Sequence, residues 1–260
     1  MLIVLKYGGN AMTAGAADPV LDEIAELARS GTSVVLVHGG GPQIDAALKL
    51  HHIPEERIEG LRVTSAAGLE VVEAVLCGTV NKDLVRGLLA RGARAFGFAG
   101  QDAAILTARR MTLPDGDLGY VGEPAGVDAG LLRGILGLGV LPVIAPLGLD
   151  PSANTALNLN ADTAAGAIAA ALQADAYVVL TNVAGVRRDR HDETSVIPRL
   201  TITEAQVLLA DGTFADGMRP KMLAAIAAVA GGARRAVIGA AVRDGIVTAL
   251  AGVGTELVRS

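Results

Sequence analysis

The stretch that decides the fold reads Ser33-Val-Val-Leu-Val-His38-Gly39-Gly40-Gly41-Pro42-Gln43-Ile44-Asp45-Ala-Ala-Leu48. Its apolar first part predicts a β-strand, the glycines predict a tight turn, and the pattern after Pro42 predicts the start of a helix. Glycine lets another group approach the backbone closely, and the first N–H groups of a helix are free to bind an anion. The stretch therefore predicts an anion site at a strand-to-helix turn, although a tight turn without a ligand has the same pattern.

The start of the chain repeats this order of strand, glycine loop and helix. Residues 2–6 form an apolar run too short for a helix, and it leads into Lys6-Tyr-Gly-Gly-Asn10. Asp18-Pro19 then has the residue types of a helix N-cap and first turn. In a parallel sheet the two glycine loops share one edge, where ligands bind.

Two later segments are expected to extend this architecture. The sequence Pro114-Asp115-Gly116-Asp117 separates two apolar stretches and predicts a β-hairpin, which is a candidate lid. Residues 65–90 predict a long helix whose apolar surface is broader than one core-facing stripe. Such a helix lies either inside one subunit or at a subunit interface. The sequence shows no exposed linker, so we expect the two halves to share one continuous sheet.

Composition narrows the class of protein. The 260 residues carry a formal net charge of -5, which argues against nucleic-acid binding, since that requires a basic face. The apolar stretches are too short, or too interrupted by Gly and Pro, to span a membrane. No leader precedes the first strand, which predicts a cytoplasmic protein. The single Cys77 cannot build a cysteine zinc site, and no His and carboxylate spacing predicts another metal site.

Several phosphate-binding signatures are missing from the sequence. It contains no G-x-x-x-x-G-K-[ST] loop, no G-x-G-x-x-G after the first strand, and no protein-kinase catalytic loop or D-F-G triplet. P-loop enzymes, dehydrogenase-like dinucleotide binders and protein kinases are therefore disfavoured.

Charged residues next to apolar elements are the first candidates for chemistry. Lys6 ends a buried strand, where a charge is costly unless it is paired, so a functional role is favoured over simple contact with solvent. Lys221 lies at a predicted helix start, where a cation opposes the helix dipole, and a ligand would explain that position. Asp162 either serves the site or complements the dipole of its own helix.

Uncharged and forked donors are the second set of candidates. Asn158 and Asn160 are either turn formers or donors to a substrate. Arg62 either forks onto a carboxylate or is solvated at the surface. His38 either forms a local hydrogen bond or lines the site.

Together these residues resemble the amino-acid kinase family, and within it the N-acetylglutamate kinases of arginine biosynthesis. The resemblance covers the whole chain and rests on ordered motifs, which are Lys6-Tyr-Gly-Gly-Asn-Ala-Met12, His38-Gly-Gly-Gly41, Gly60-Leu-Arg-Val-Thr64, Val80-Asn-Lys82, Asn158-Leu-Asn-Ala-Asp162, Leu180-Thr-Asn-Val-Ala-Gly185 and Gly217-Met-Arg-Pro-Lys221. It implies a three-layer α/β/α sandwich with a mainly parallel central sheet, the amino-acid kinase fold. Residues 1–172 would bind the acyl amino acid and form the dimer, and residues 173–260 would bind ATP.

The resemblance also implies a reaction and a role for each site residue. ATP would phosphorylate the side-chain carboxylate of N-acetyl-L-glutamate. Lys6 and Lys221 would neutralise the transferring phosphoryl group, and Asp162 would orient both lysines. The substrate-binding set would be Gly40, Gly41, Arg62, Asn158 and Asn160, and the nucleotide-binding set Gly8, Gly9, Thr181, Asn182, Gly185 and Met218.

This reaction agrees with the residue types present. A carboxylate is already ionised at pH 7, so the nucleophile needs no general base. Catalysis then depends on alignment and charge stabilisation. Mg²⁺ would be held mainly by the nucleotide phosphates and water, so few protein ligands are expected.

Some positions depart from the family pattern. Asn182 and Ala184 stand where many N-acetylglutamate kinases have Asp and Pro, and Asp216 and Arg219 replace common Gly and Ile. These departures concern the adenine and ribose contacts. The sequence also lacks the extra N-terminal helix of arginine-inhibited hexameric relatives, which implies a homodimer that arginine does not inhibit by that route.

Two alternative functions remain open from the sequence. The nearest is a kinase for aminoadipate bound to a carrier protein in lysine biosynthesis, for which Arg109 and Arg110 on the predicted hairpin could contact an acidic partner. The other is a non-catalytic nucleotide or amino-acid sensor, which the intact Lys6, Asp162 and Lys221 disfavour.

Overall fold

The computed structural model describes residues 1–8, 12, 18–58, 60–114, 116–189, 191–214 and 217–260. The strands are β1 (Leu2–Tyr7), β2 (Ser33–His38), β3 (Arg57–Ile58), β4 (Leu61–Arg62), β5 (Ala95–Ala99), β6 (Leu106–Leu113), β7 (Gly116–Val127), β8 (Leu141–Ala145), β9 (Leu147–Asp150), β10 (Thr155–Leu159), β11 (Ala176–Thr181), β12 (Arg199–Thr201), β13 (Ala236–Ala240) and β14 (Thr255–Val258). The helices are α1 (Pro19–Arg29), α2 (Gly41–Leu50), α3 (Ala66–Glu73), α4 (Asn81–Ala90), α5 (Ala129–Gly137), α6 (Ala161–Leu172), α7 (Ile202–Ala210), α8 (Met218–Gly231) and α9 (Gly245–Leu250).

An eight-stranded sheet forms the centre of the molecule, in the order β12-β14-β13-β11-β1-β2-β8-β5. Its pairings are parallel except for that of β13 with β14. β1 and β2 are direct neighbours, so the loops after them meet. A Cβ on Gly8 would lie only 2.3 Å from the backbone nitrogen of Gly39, which requires glycine there. The mainly parallel sheet and the shared loop edge are confirmed.

Side chains of β1 alternate between the two faces of this sheet, as the period of a strand requires. Ile3 and Leu5 lie in a buried cluster with residues of α1, α4 and α9. Val4 lies in the cluster on the other face, with residues of α6 and α8. Helices therefore cover both faces, as the sandwich predicts. Lys6 follows Val4 by two positions, which places its side chain on the face of α6 and α8.

The predicted hairpin exists as β6 and β7, which pair from Leu113 and Gly116 outward; Asp115 lies outside the described residues. β7 also pairs with β10, and β6 with β9, so that these four strands form a closed sheet. Because β9 and β10 flank it on its two sides, the hairpin is part of this closed sheet and is not a free-standing lid.

The predicted long helix is divided into three parts. A π-helical segment, Ala74–Val80, joins α3 to α4. The apolar stripe Leu69, Val72, Leu76, Val80 and Leu84 is buried within the chain. This stripe accounts for one side of the helix, and the role of the segment at a subunit interface stays a prediction.

A buried carboxylate connects α1 to α9. Glu23 accepts hydrogen bonds from the backbone N–H groups of Ile246 at 3.0 Å and Val247 at 2.6 Å, in the first turn of α9. Burial raises the pKa of Glu23, although both bonds favour the ionised form. Glu23 thus caps a helix that lies more than two hundred residues away in the chain.

We expect Glu23→Ala to lower the free energy of unfolding by about 2 kcal/mol, because the first N–H groups of α9 lose their acceptor. Urea unfolding at pH 7 measures this loss. Glu26→Ala on the exposed side of the same helix is the matched control and should change stability by less than about 0.5 kcal/mol. Equal losses in the two variants would contradict the assigned cap.

Candidate active site

Three charged side chains from distant parts of the chain meet at the carboxyl edge of the main sheet. Lys6 Nζ lies 3.1 Å from Asp162 Oδ1, and Lys221 Nζ lies 3.3 Å from Asp162 Oδ2. These side chains, called here the lysine–aspartate cluster, are 8%, 6% and 17% exposed for Lys6, Asp162 and Lys221. One carboxylate thus faces two ammonium groups. The positive charge left over favours an anionic ligand, since burying it without a partner is costly.

The backbone of Asp162 is fixed from two sides. Asn160 caps α6, and its Oδ1 accepts the N–H of Asp162 at 2.8 Å. The hydroxyl of Tyr177 on β11 donates to the carbonyl oxygen of Asp162 at 2.8 Å. Burial raises the pKa of Tyr177, so this phenol keeps its proton. The carboxylate between the lysines is therefore held before any ligand arrives.

Close packing of α6 on α8 brings Asp162 and Lys221 together. Gly166 of α6 faces Ala224 of α8, and a Cβ on Gly166 would lie 2.8 Å from the carbonyl oxygen of Ala224. The alanine-rich sequence of α6 thus has a structural purpose, because small residues let the two helices approach.

A cavity of about 230 Å³ opens at the cluster. It brings together most residues that the sequence predicted for catalysis and substrate binding, namely Lys6, Gly40, Gly41, Arg62, Asn158, Asn160 and Asp162. Lys221 is outside the lining but contacts Asp162. A slightly larger cavity, about 260 Å³, lies at the opposite end of the strands near Ser33 and Leu141, and none of the predicted residues line it.

The glycine turn, defined as residues 39–41, forms one wall of this cavity. Gly40 is the N-cap of α2 and Gly41 its first residue, so unpaired N–H groups of a helix start lie at the wall. A Cβ on Gly40 would lie 2.7 Å from Leu76 Cδ2. The turn therefore fits the anion site that the sequence predicted.

Arg62 is nearly buried, with a side chain 8% exposed, and it forks onto carboxylates of the chain itself. It bonds to Asp45, and its other terminal nitrogen lies 3.3 Å from Glu55. Arg57, also at the cavity, shares both carboxylates. Sequence reasoning missed Asp45 and Glu55. The available signal was Asp45 itself, one turn into the helix that follows the glycines.

The two asparagines occupy different positions in the wall. Asn158 Nδ2 donates to Thr64 Oγ1 at 3.2 Å. Asn160 uses its Oδ1 to cap α6, as a turn former does, while the side chain also lines the cavity. The sequence left a structural and a substrate role open for each, and for Asn160 the structural role is now established.

Apart from Met218, the described residues that were predicted to bind the nucleotide lie at or after the carboxyl ends of β1 and β11. Thr181 ends β11, the strand next to β1, and its hydroxyl donates to Asn182 Oδ1 at 3.3 Å. A Cβ on Gly185 would lie 2.9 Å from Thr255 Oγ1, and Met218 begins α8, one turn before Lys221. Gly9 and Asp216 lie outside the described residues.

His38 lies directly behind the glycine turn and is fully buried. Its Nδ1 donates to the carbonyl oxygen of Gly39 at 2.9 Å, and its Nε2 accepts from Asn81 Nδ2 at 3.1 Å. Burial and the nearby Lys82 lower the pKa of His38 to about 4. The imidazole is therefore neutral at pH 7.

This lowered pKa predicts a pH dependence of stability. Protonation of His38 is easier in the unfolded chain, so the folded state loses stability as the pH falls below about 6.5 toward 4. Between pH 7 and pH 5 we expect wild type to lose about 2 kcal/mol more unfolding free energy than His38→Gln, which has no imidazole at this position. Urea unfolding at both pH values measures this difference. If wild type and His38→Gln showed the same pH dependence, the prediction would be wrong. His51→Gln, at an exposed site, is the control and should keep the pH dependence of wild type.

Among the described residues, no helix is long and apolar enough to cross a membrane. The same part of the chain contains no group of three or more His, Cys, Asp or Glu side chains that could hold a metal ion.

The fold and the site together define a class of protein. A parallel α/β sheet holds two lysines on one carboxylate at its carboxyl edge, beside a cavity lined by N–H donors, and such a site suits phosphoryl groups. The chain belongs to the amino acid kinase family, whose family model matches residues 1–240.

Curated relatives and solved structures support this assignment. The chain is 47% identical over 257 residues to the acetylglutamate kinase of Acidiphilium cryptum. This alignment covers 94% of this chain and 83% of that protein. The chain is 44% identical over 237 residues to the chloroplastic acetylglutamate kinase of Arabidopsis thaliana, covering 91% and 68%. Among solved structures, the N-acetylglutamate synthase of Neisseria gonorrhoeae with coenzyme A and N-acetyl-glutamate matches with a TM-score of 0.85 and 26% identity. This match covers 100% of this chain and 59% of that chain. Carbamate kinase from Giardia lamblia shares the fold, at a TM-score of 0.72, 18% identity, and coverage of 100% and 98%.

Proposed function

We propose that this protein is an acetylglutamate kinase, which transfers the γ-phosphoryl group of ATP to the side-chain carboxylate of N-acetyl-L-glutamate in arginine biosynthesis. The observation that carries the proposal is the lysine–aspartate cluster at the end of a cavity lined by the glycine turn, Arg62 and two asparagines. Relatives that are 44 to 47% identical over most of the chain are acetylglutamate kinases.

The reaction needs little covalent chemistry from the protein. An oxygen of the ionised side-chain carboxylate forms a bond to the γ-phosphorus, the bond from that phosphorus to the β,γ-bridging oxygen breaks, and ADP leaves with the electron pair. No general base is required, since the nucleophile carries no proton at pH 7. Lys6 and Lys221 neutralise charge on the phosphoryl oxygens, and Asp162 holds both ammonium groups in place.

The acceptor is held at both of its ends. N–H groups of the glycine turn bind the reacting carboxylate, as unpaired donors of a helix start do for anions. Arg62, Asn158 and Asn160 hold the amino-acid end. Because Asp45 hydrogen-bonds to Arg62 and Glu55 forms an ion pair with it, these carboxylates set the direction of the guanidinium and partly balance its charge.

The donor set also fits ATP with Mg²⁺. Both carboxylate oxygens of Asp162 are paired with lysines. The described residues contain no group of three or more His, Cys, Asp or Glu side chains that could hold a metal ion. Mg²⁺ would therefore be held by the nucleotide phosphates and water, and when bound it supplies charge neutralisation. The nucleotide would lie along Gly8, Gly9, Thr181, Asn182, Gly185 and Met218.

Two binding lobes follow from this assignment. All residues lining the cavity fall between Lys6 and Asp162, which supports residues 1–172 as the lobe for the acyl amino acid. Lys221 comes from residues 173–260, the lobe proposed for ATP, and closes the cluster from that side. We further propose a cytoplasmic homodimer, with neither nucleic acid nor membrane as a partner.

Trapping the acyl phosphate with hydroxylamine tests the function. Purified protein is incubated with ATP, Mg²⁺ and hydroxylamine, with N-acetyl-L-glutamate, L-aspartate or carrier-bound aminoadipate as separate acceptors. We expect hydroxamate formation, dependent on ATP, with N-acetyl-L-glutamate. Hydroxamate formed only with carrier-bound aminoadipate would indicate the kinase of lysine biosynthesis instead. Nucleotide binding without any product would indicate a non-catalytic sensor.

A further inference from the structure

A buried chain of hydrogen bonds continues from His38 across the main sheet. Asn81 Nδ2 donates both to His38 Nε2 and, at 2.9 Å, to the carbonyl oxygen of Val143 on β8. Lys82 Nζ donates to Asn81 Oδ1 at 3.0 Å and to the carbonyl oxygen of Gly97 on β5 at 2.8 Å. The chain joins α4 to three neighbouring strands. His38 and Asn81 are both completely buried within it.

The order of donors along this chain fixes the proton on His38. Lys82 can only donate, so it fixes the amide oxygen of Asn81 on its own side and directs the amide NH₂ toward His38. His38 Nε2 must then accept, which leaves the proton of the neutral ring on Nδ1. That proton is the one donated to the carbonyl oxygen of Gly39.

The bond to Gly39 in turn directs the next N–H group. The Gly39 carbonyl and the Gly40 N–H belong to one planar trans peptide unit, in which the two bonds point in opposite directions. Holding the Gly39 oxygen toward His38 therefore directs the Gly40 N–H away from it. Gly40 lines the cavity, and its N–H has no hydrogen-bond partner among the described residues.

We propose that His38 and Asn81 are positioning residues, which hold the glycine turn so that the Gly40 N–H points at the acceptor carboxylate during phosphoryl transfer. Neither side chain lines the cavity, so each acts through the backbone of the turn. The proposal rests on the proposed function for the identity of the acceptor, whereas the proton position on His38 does not.

The residues packed around Asn81 leave room for this series of hydrogen bonds. A Cβ on Gly97 would lie 2.0 Å from Asn81 Oδ1, so the strand beside Asn81 has room for the amide only because residue 97 is glycine. Buried polar groups that are fully paired give a unique arrangement, and losing one member leaves its partners unsatisfied. The chain thus holds the turn in one orientation.

A pair of substitutions at His38 separates positioning from stability. His38→Leu removes the donor to Gly39, and we expect kcat to fall roughly 10- to 100-fold, with the KM for ATP changed less than about twofold. His38→Asn can still donate to Gly39 from a position near that of Nδ1, and should exceed His38→Leu at least about tenfold in kcat. The exposed His51→Leu is the matched control and should retain the wild-type kcat.

Rates are compared at one temperature, well below every variant's melting temperature, and are divided by the concentration of folded protein. A kcat of His38→Leu within about twofold of wild type, or equal kcat in His38→Leu and His38→Asn, would overturn the proposal, because destabilisation alone leaves the kcat of the folded fraction unchanged.

The wild-type protein supplies a test that needs no variant. Long-range ¹⁵N–¹H NMR of the histidine rings shows which nitrogen carries the proton, and we expect His38 to be protonated at Nδ1. Protonation at Nε2 would overturn the proposal, since Gly39 would then have no donor. This spectrum is independent of the acceptor, so a wild-type protein that fails to phosphorylate N-acetylglutamate would contradict the proposed function and not the ring assignment.

Discussion

Replacing Lys221 with methionine is expected to lower kcat by roughly 100- to 1,000-fold, because the phosphoryl group loses one preorganised cationic donor. Lys221 Nζ is held 3.3 Å from Asp162 Oδ2 and 3.3 Å from the carbonyl oxygen of Gly217. It is therefore in place before ligands bind. Methionine keeps the length and apolar stem of lysine but has no charge. Initial rates of hydroxamate formation at saturating ATP and N-acetylglutamate measure the effect.

The exposed Lys49 at the end of α2 supplies the matched control. Lys49→Met makes the same chemical change far from the cluster and should keep kcat within about twofold of wild type. We also expect Lys221→Met to raise the KM for ATP, since a cation near the phosphates is removed. Undiminished turnover in Lys221→Met would show that Lys221 has no part in the transfer.

Replacing Asp162 with asparagine is expected to have the second large effect, and with a different signature. The amide is uncharged and has one oxygen, whereas the carboxylate pairs through Oδ1 with Lys6 and through Oδ2 with Lys221, so both ammonium groups lose their shared counter-ion. Breaking a buried ion pair on one side costs about 3 to 5 kcal/mol of unfolding free energy. Misplaced lysines should also lower kcat, by roughly 100-fold.

Nucleotide affinity distinguishes the two variants. Removing the negative charge of Asp162 leaves two cations for the phosphates, so Asp162→Asn should bind ATP at least as tightly as wild type, while Lys221→Met binds it more weakly. Calorimetric titration with a non-hydrolysable ATP analogue measures both. Asp22→Asn, in the exposed first turn of α1, is the control for the loss of stability, and it should lower the free energy of unfolding by less than about 1 kcal/mol. Weaker nucleotide binding by Asp162→Asn would contradict its assigned role.

Sequence reasoning found the elements that carry the site but not all of its contacts. Lys6, Asp162 and Lys221 were each suspect for a local reason, namely a charge beside an apolar element or a charge at a helix start. The carboxylates that hold Arg62 were missed, because Asp45 and Glu55 resemble ordinary surface residues until the chain folds. Asn81 belonged to a motif without an assigned role, since nothing in the sequence shows that its amide lies behind the glycine turn.

The long helix shows a further limit of the sequence. Its apolar positions were read correctly, because burial follows helical spacing. The π-helical segment Ala74–Val80 was not foreseen, since side-chain spacing does not report which carbonyl each N–H reaches. The roles of individual site residues in substrate and nucleotide binding stay predictions.

Residue patterns by themselves predicted the longer strands of the main sheet, the glycine turns and most helix starts, because strand alternation, capping and turn formation depend on residues within a few positions of one another. The short strands β3, β4, β9 and β10 were not predicted, and the mainly parallel sheet was implied by the family resemblance. No local pattern brings Lys6 and Lys221 to Asp162, which lies 59 positions from Lys221; the family resemblance implied this pairing, and the tertiary structure shows it. Only the tertiary structure shows that Asn81 and Lys82 lie in one hydrogen-bonded series behind His38. These contacts depend on the order of strands and on the approach of α6 to α8, which the packing of the whole core sets and no local pattern encodes.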